Sequence, residues 1–187
     1  MKPIHLIPLA NGAAVQGAAV EPDLSMLERV AAALARTFHT PCRIRPERLD
    51  VDFSRDVARG QYYSTAIIQR LERTAPSDAR VLGVTSCDLY VPVLTFVFGE
   101  AQLDGTCAVV STARLREEFY GLPASADLLL DRLIKEAVHE LGHTFGLRHC
   151  GDWRCVMSSS HAVERLDVKG AEFCGACRKA VGEEGYW

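Results

Sequence analysis

The chain has 187 residues, 48% of them apolar, and a formal net charge of −3 at pH 7. That length fits one domain with a sizeable core, and the near-balanced charge argues against nucleic acid as a partner. No run approaches the roughly 20 apolar residues of a membrane span, and the opening MKPIHLIPLA, broken by His5 and two prolines, does not read as a secretory signal.

Residues 4–9 read as a buried strand, and residues 10–22, small and polar, as a loop. A helix is expected over 25–39. Ser25 and Glu28 form its S-x-x-E capping box, and Leu27, Val30, Ala31, Leu34 and Phe38 make its apolar stripe. Residues 42–45 suit a short strand, and 50–60 are charged and irregular. Residues 61–73 read as a second helix with Tyr63, Ile67 and Leu71 on one face, closed by 74–77. Segments 80–85, 91–98 and 107–111, rich in β-branched residues and Phe, read as strands. Ser125 is placed to cap a long helix over 126–145. Beyond Gly146 the chain is turn-rich, with one more short helix after Cys177. This order predicts an α/β fold, a twisted mixed sheet with helices packed on it, and shows no internal repeat or linker.

Starting in the long helix and running past its end is His139-Glu140-Leu141-Gly142-His143-Thr144-Phe145-Gly146-Leu147-Arg148-His149, an H-E-x-x-H-x-x-G-x-x-H motif complete at every fixed position. Positions i and i+4 share a helix face, so His139 and His143 can aim at one point. Gly146 permits the left-handed backbone that ends the helix, and His149 then approaches from another direction. Three neutral nitrogens leave Zn²⁺ an open position, the arrangement of a catalytic site. Glu140 is placed to take the proton of a water activated there. The competing account is an amphipathic helix with two satisfied histidines, and Gly146 and His149 argue against it.

The seven cysteines cannot all pair within one chain. A reducing compartment disfavours disulfides in any case, so a soluble, cytoplasmic protein is expected. Cys150 and Cys155, with the C-x-x-C pair Cys174 and Cys177, could close a tetrahedral Cys₄ zinc site whose role is folding. A redox C-x-x-C or unrelated buried thiols are the alternatives, although this pair lacks the βαβ context of a redox motif. Cys42, Cys87 and Cys107 sit in or near strand-like segments and read as core.

At this point the sequence resembles a known family. The histidine motif with a downstream methionine is the signature of the metzincin zinc peptidases. Cys150 directly after the last histidine, Cys155-Val156-Met157 and the Cys174/Cys177 pair resemble the archaemetzincin branch. Arg59-Gly60-Gln61-Tyr62, Asp88-Leu89-Tyr90-Val91-Pro92 and Phe96-Val97-Phe98-Gly99-Glu100-Ala101 extend that likeness over most of the chain. The resemblance implies a zinc-dependent peptidase acting on peptide or protein substrates, with two zincs per chain, one catalytic and one structural. It implies a sheet above a cleft, the active-site helix below the sheet, and a short C-terminal floor. On that reading the single domain divides into an upper part, residues 1–146, and a lower part, 147–187. Met157 would lie in a turn beneath the three imidazoles without ligating metal. An edge strand would pair with extended substrate, and 91–98 is the candidate. A monomer is expected.

Other assignments stay open. His161, close in sequence to Met157, is a candidate donor to a developing oxyanion, set against the reading of a solvated surface histidine, and Tyr120 and Tyr186 are further phenol donors with no positional argument. His5 and His39 read as structural, and Asp88 and Glu100 as solvated charges near the cleft edge. The same ligands could instead serve a different zinc hydrolase, or a non-catalytic zinc-stabilised module that binds peptide or protein, although a purely structural site has no need of Glu140.

Overall fold

A computed structural model describes residues 2–11 and 23–182. Most of the loop expected over 10–22, and Tyr186, lie outside the described residues. The chain runs through β1 (Ile4–Ala10), α1 (Leu24–Phe38), β2 (Cys42–Ile44), β3 (Leu49–Asp50), β4 (Arg55–Asp56) and β5 (Gln61–Tyr63). It continues through α2 (Ser64–Thr74), β6 (Arg80–Thr85), β7 (Leu89–Tyr90), β8 (Gly99–Ala101) and β9 (Cys107–Ser111). The long α3 (Ala126–Thr144), α4 (Val163–Val168) and α5 (Gly175–Gly182) complete it.

Six strands form a mixed sheet in the order β2-β1-β6-β9-β8, with β3 also paired to β1. The β1–β2, β1–β6 and β6–β9 ladders are parallel, and β8 runs antiparallel to β9 at the edge. A small second sheet, β4-β5-β7, flanks it. Alternate residues of a strand face opposite ways, and the two faces bury different helices. Ile4, Leu6, Leu82, Val84, Ala108 and Val110 join a cluster with α1 and α3. Val81, Cys107 and Val109 pack with Ile67, Ile68 and Leu71 of α2. The C-terminal segment adds Val156, Met157, Val163, Leu166, Phe173 and Val181 to the first cluster, so α3 is enclosed between the sheet and residues 156–181. No helix among the described residues is long and apolar enough to cross a membrane.

Several local expectations are corrected. The cap of α1 is Asp23, whose carboxylate accepts the Met26 N–H at 2.7 Å, and Ser25 merely donates its hydroxyl to that carboxylate. A carboxylate at a helix N-terminus outcompetes a hydroxyl because it also meets the helix dipole. Residues 61–73 divide: Gln61–Tyr63 pair as a strand, and the helix starts at Ser64. The strand expected over 91–98 does not form. Pro92 cannot donate to a ladder, and this segment turns, with only Val97 bridging Leu89. The real edge strand is the next one, β8. The irregular stretch over 50–60 contains β4, α4 was not foreseen, and α5 begins before Cys177 rather than after it.

Candidate active site

Ser125 caps α3, its hydroxyl accepting the Leu128 N–H at 3.4 Å. About four turns of the helix further on, His139 and His143 occupy one face. Gly146, at φ 82°, ends the helix: Leu147 N–H returns to the Gly142 carbonyl and Gly146 N–H to that of His143. His149 thereby swings back, placing its ring centroid 5.3 Å from His139 and 5.1 Å from His143. One nitrogen from each imidazole lies within 4.8 Å of the others.

The ring orientations are fixed from behind. Nδ1 of His139 is 2.8 Å from the Val156 carbonyl, and Nδ1 of His143 is 2.7 Å from that of Leu147. A carbonyl only accepts, so both Nδ1 atoms carry the proton and both Nε2 atoms present lone pairs. Those Nε2 atoms are 3.2 Å apart. Facing lone pairs repel unless a cation lies between them. A tetrahedral zinc with bonds of about 2.0–2.1 Å would set such nitrogens about 3.3 Å apart. Burial, helped by the Lys169 cation, pushes His139 down to about 3, and burial lowers His143 and His149 as well. All three are therefore neutral near pH 7, as ligands must be.

Glu140 is buried beside them and lies against Gly99 of β8, where a Cβ would sit 2.6 Å from its Cγ. Burial, then the negative charges of Glu136 and Glu100, raise its proton affinity well above that of an ordinary carboxylate, and Lys169 opposes the shift. A bound dication would likewise oppose it.

These groups open onto a cavity of about 580 Å³. Its rim is the 91–98 segment, pinned from the small sheet. Arg59 donates to the Leu94 and Thr95 carbonyls at 3.1 Å each and lies over the Tyr90 ring. Gln61 bonds the Thr95 carbonyl at 2.9 Å and Asp88 at 3.0 Å. Arg114 grips Asp88 at 2.7 and 2.8 Å while covering Phe96. Asp88 is thus paired rather than solvated. Glu100 faces the cavity but is held by the hydroxyls of Ser64 and Thr65.

The floor comes from the C-terminal segment. Met157 is fully buried against α3, and a Cβ on Gly142 would lie 2.5 Å from its Sδ. Lys169, buried as deeply as its partner, donates to Glu136 Oε1 and to the Ser158 carbonyl, both at 3.1 Å. Below this, the sulfurs of Cys150, Cys155, Cys174 and Cys177 lie within 4.8 Å of one another, and Cys150 and Cys174 are 3.7 Å apart. Tetrahedral zinc–thiolate bonds of about 2.3 Å imply about 3.8 Å between sulfurs, far from the roughly 2.05 Å of a disulfide. The Cys174 N–H donates to Cys155, and the Cys177 N–H is the main reason Cys174 is held down at about 7, while burial pushes the Cys155 and Cys177 thiols up.

Of the candidate oxyanion donors, His161 lines the cavity, whereas Tyr120 donates to the Arg114 carbonyl outside it. His5 lies in β1, and His39 is the left-handed cap of α1. Cys87 and Cys107 are core, and Cys42 packs against it. Sequence reasoning missed Glu136, Lys169 and Arg148. Glu136 precedes Glu140 by one helical turn, and that spacing could have revealed it. Lys169 had no such signal, because its partner lies on another element.

The sequence profile of Peptidase family M54 matches residues 53–183. The chain is 44% identical to the archaemetzincin of Methanocaldococcus jannaschii over 147 residues, 78% of this chain and 80% of that one. The crystal structure of archaemetzincin from Methanopyrus kandleri superposes with a TM-score of 0.83 at 35% identity, covering 97% of this chain and 94% of that one. A zinc-dependent peptidase from Methanocorpusculum labreanum superposes with a TM-score of 0.82 at 30% identity, covering 95% and 99%.

Proposed function

Because the chain belongs to peptidase family M54, alongside the archaemetzincins, we propose that this zinc metallopeptidase cleaves peptide bonds with Glu140 as base and His139, His143 and His149 as ligands of its catalytic zinc. The observation that carries this reading is the convergence of three neutral imidazoles beside one buried carboxylate.

Zinc bound there supplies a Lewis acid that acidifies water and polarises the scissile carbonyl. The protein's own groups do the rest. The Val156 and Leu147 carbonyls keep the His139 and His143 rings from rotating. A Glu140 carboxylate oxygen accepts a proton from the attacking water and delivers it to the departing amine, a role suited to a carboxyl whose proton affinity is raised. The free edge of β8, whose residues line the cavity next to Glu140, suits an extended peptide added as a further strand, the role first assigned to 91–98. Met157 acts as the methionine of a metzincin-type turn. It supports the ligand-bearing helix from below and leaves the metal to the imidazoles.

Cys150, Cys155, Cys174 and Cys177 hold a second, structural zinc in this account. A thiolate cluster of this kind needs its cysteines kept reduced, which a cytoplasmic location would supply.

The test is cleavage of a peptide library by zinc-loaded protein, read by mass spectrometry, against Glu140→Gln. The variant is expected to lose about 10²–10⁴ in rate while keeping its zinc. Equal cleavage by both proteins would remove Glu140 from the mechanism.

A further inference from the structure

Three residues that line the cavity, Arg148, Ser160 and His161, have no part in the mechanism. Arg148 sits between Leu147, whose carbonyl orients His143, and His149. Its side chain is exposed and lines the cavity, and among the described residues it has no ion-pair, hydrogen-bond or ring partner. Arg59, Arg80, Arg114 and Arg132, by contrast, are all engaged. The Ser160 hydroxyl is buried with no hydrogen-bond partner among the described residues. His161 follows it, close enough to His149 to influence its charge. None of the cavity's acids among the described residues pairs with Arg148: Glu136 pairs with Lys169, and Glu100 is held by Ser64 and Thr65.

We propose that Arg148, Ser160 and His161 form a carboxylate subsite on the His149 side of the scissile bond. There the fork of guanidinium donors engages a carboxylate of the substrate, and the Ser160 and His161 side chains complete its hydrogen bonding. The carboxylate comes from an Asp or Glu side chain or from the substrate's own C-terminus. A singly charged carboxylate fits better than a phosphate dianion, because Glu100 and Glu140 face the same space. This subsite rests on the peptidase reading and gives it a substrate class.

Matched peptides carrying Glu, Gln or Lys at each position around the bond, as free acids and as amides, test it. With zinc-loaded wild type, kcat/KM is expected to favour Glu over Gln about tenfold at one position, the low end for a charge-assisted hydrogen bond. If the preference instead follows free acid over amide, the substrate C-terminus is the source. Arg148→Gln should bring the ratio close to one, Arg148→Glu should favour Lys, and Ser160→Ala should weaken the preference a few-fold. Titrating the same peptides into zinc-loaded Glu140→Gln by fluorescence anisotropy reads the preference without turnover. Missing cleavage therefore counts against the base, whereas equal affinities across the set overturn the subsite.

Discussion

Gly99 and Gly142 set how closely the rest of the chain approaches the active-site helix. A Cβ at 99 would lie 2.6 Å from Glu140 Cγ and 2.7 Å from the Val109 carbonyl, and the second neighbour is backbone that cannot rotate away. Gly99→Ala should therefore displace either β8 or Glu140. The expected result is a loss of about 1–3 kcal/mol in denaturant stability and up to about 10²-fold in kcat/KM. Unchanged values of both would mean the helix and strand are less constrained than their contact implies. The histidines make a separate prediction. As pH falls through about 6.5, the unfolded chain protonates its histidines, but His139 in the fold resists until about 3. Between those values the unfolded state binds more protons at this position, so the contribution of His139 to the stability of the metal-free protein should fall as pH falls, while Glu140, whose carboxyl is raised in the fold, pulls the other way. Thermal melts of metal-free protein and of metal-free His139→Gln from pH 7 to pH 4 separate the two. A difference between their melting temperatures that does not change with pH contradicts the His139 assignment.

The Glu136–Lys169 pair joins α3 to the segment after Met157. Both side chains are almost wholly buried, at 5% and 1% exposure. Lys169→Met strands the Glu136 carboxylate and should cost about 3–5 kcal/mol, whereas Glu136→Leu combined with Lys169→Met should recover much of that. Additive losses in a urea double-mutant cycle would show that the two residues act independently. This junction also marks what the sequence made legible. The α3 cap at Ser125, the stop at Gly146 and the convergence of the three histidines follow from local spacing, and the structure has each of them. The boundary at Ser64 and the failed strand over 91–98 depend on partners far along the chain. Gln61 is occupied by Asp88 and Thr95, and Arg59 holds the carbonyls that a strand would have used. Local pattern carries no record of such contacts, and for the same reason Lys169 was invisible.

Across the whole molecule, one hydrophobic cluster runs from β1 through α3 to Val181, and the two candidate metal centres are joined by the adjacent residues His149 and Cys150. The Cys150 N–H to Met157 carbonyl bond, 2.9 Å, and the Val156 carbonyl behind His139 tie the thiolate cluster to the imidazole cluster. Loss of the cysteine-bound metal should therefore loosen the floor of the cleft, while loss of the histidine-bound metal should leave the fold in place. Zinc per chain, measured by elemental analysis on wild type, His143→Ala and the Cys174→Ser, Cys177→Ser double variant, tests the account most directly. It predicts two zincs in wild type, one in a still-folded His143→Ala, and one at most in a destabilised cysteine variant. A single zinc in wild type that only the cysteine changes remove would contradict a histidine-bound catalytic metal.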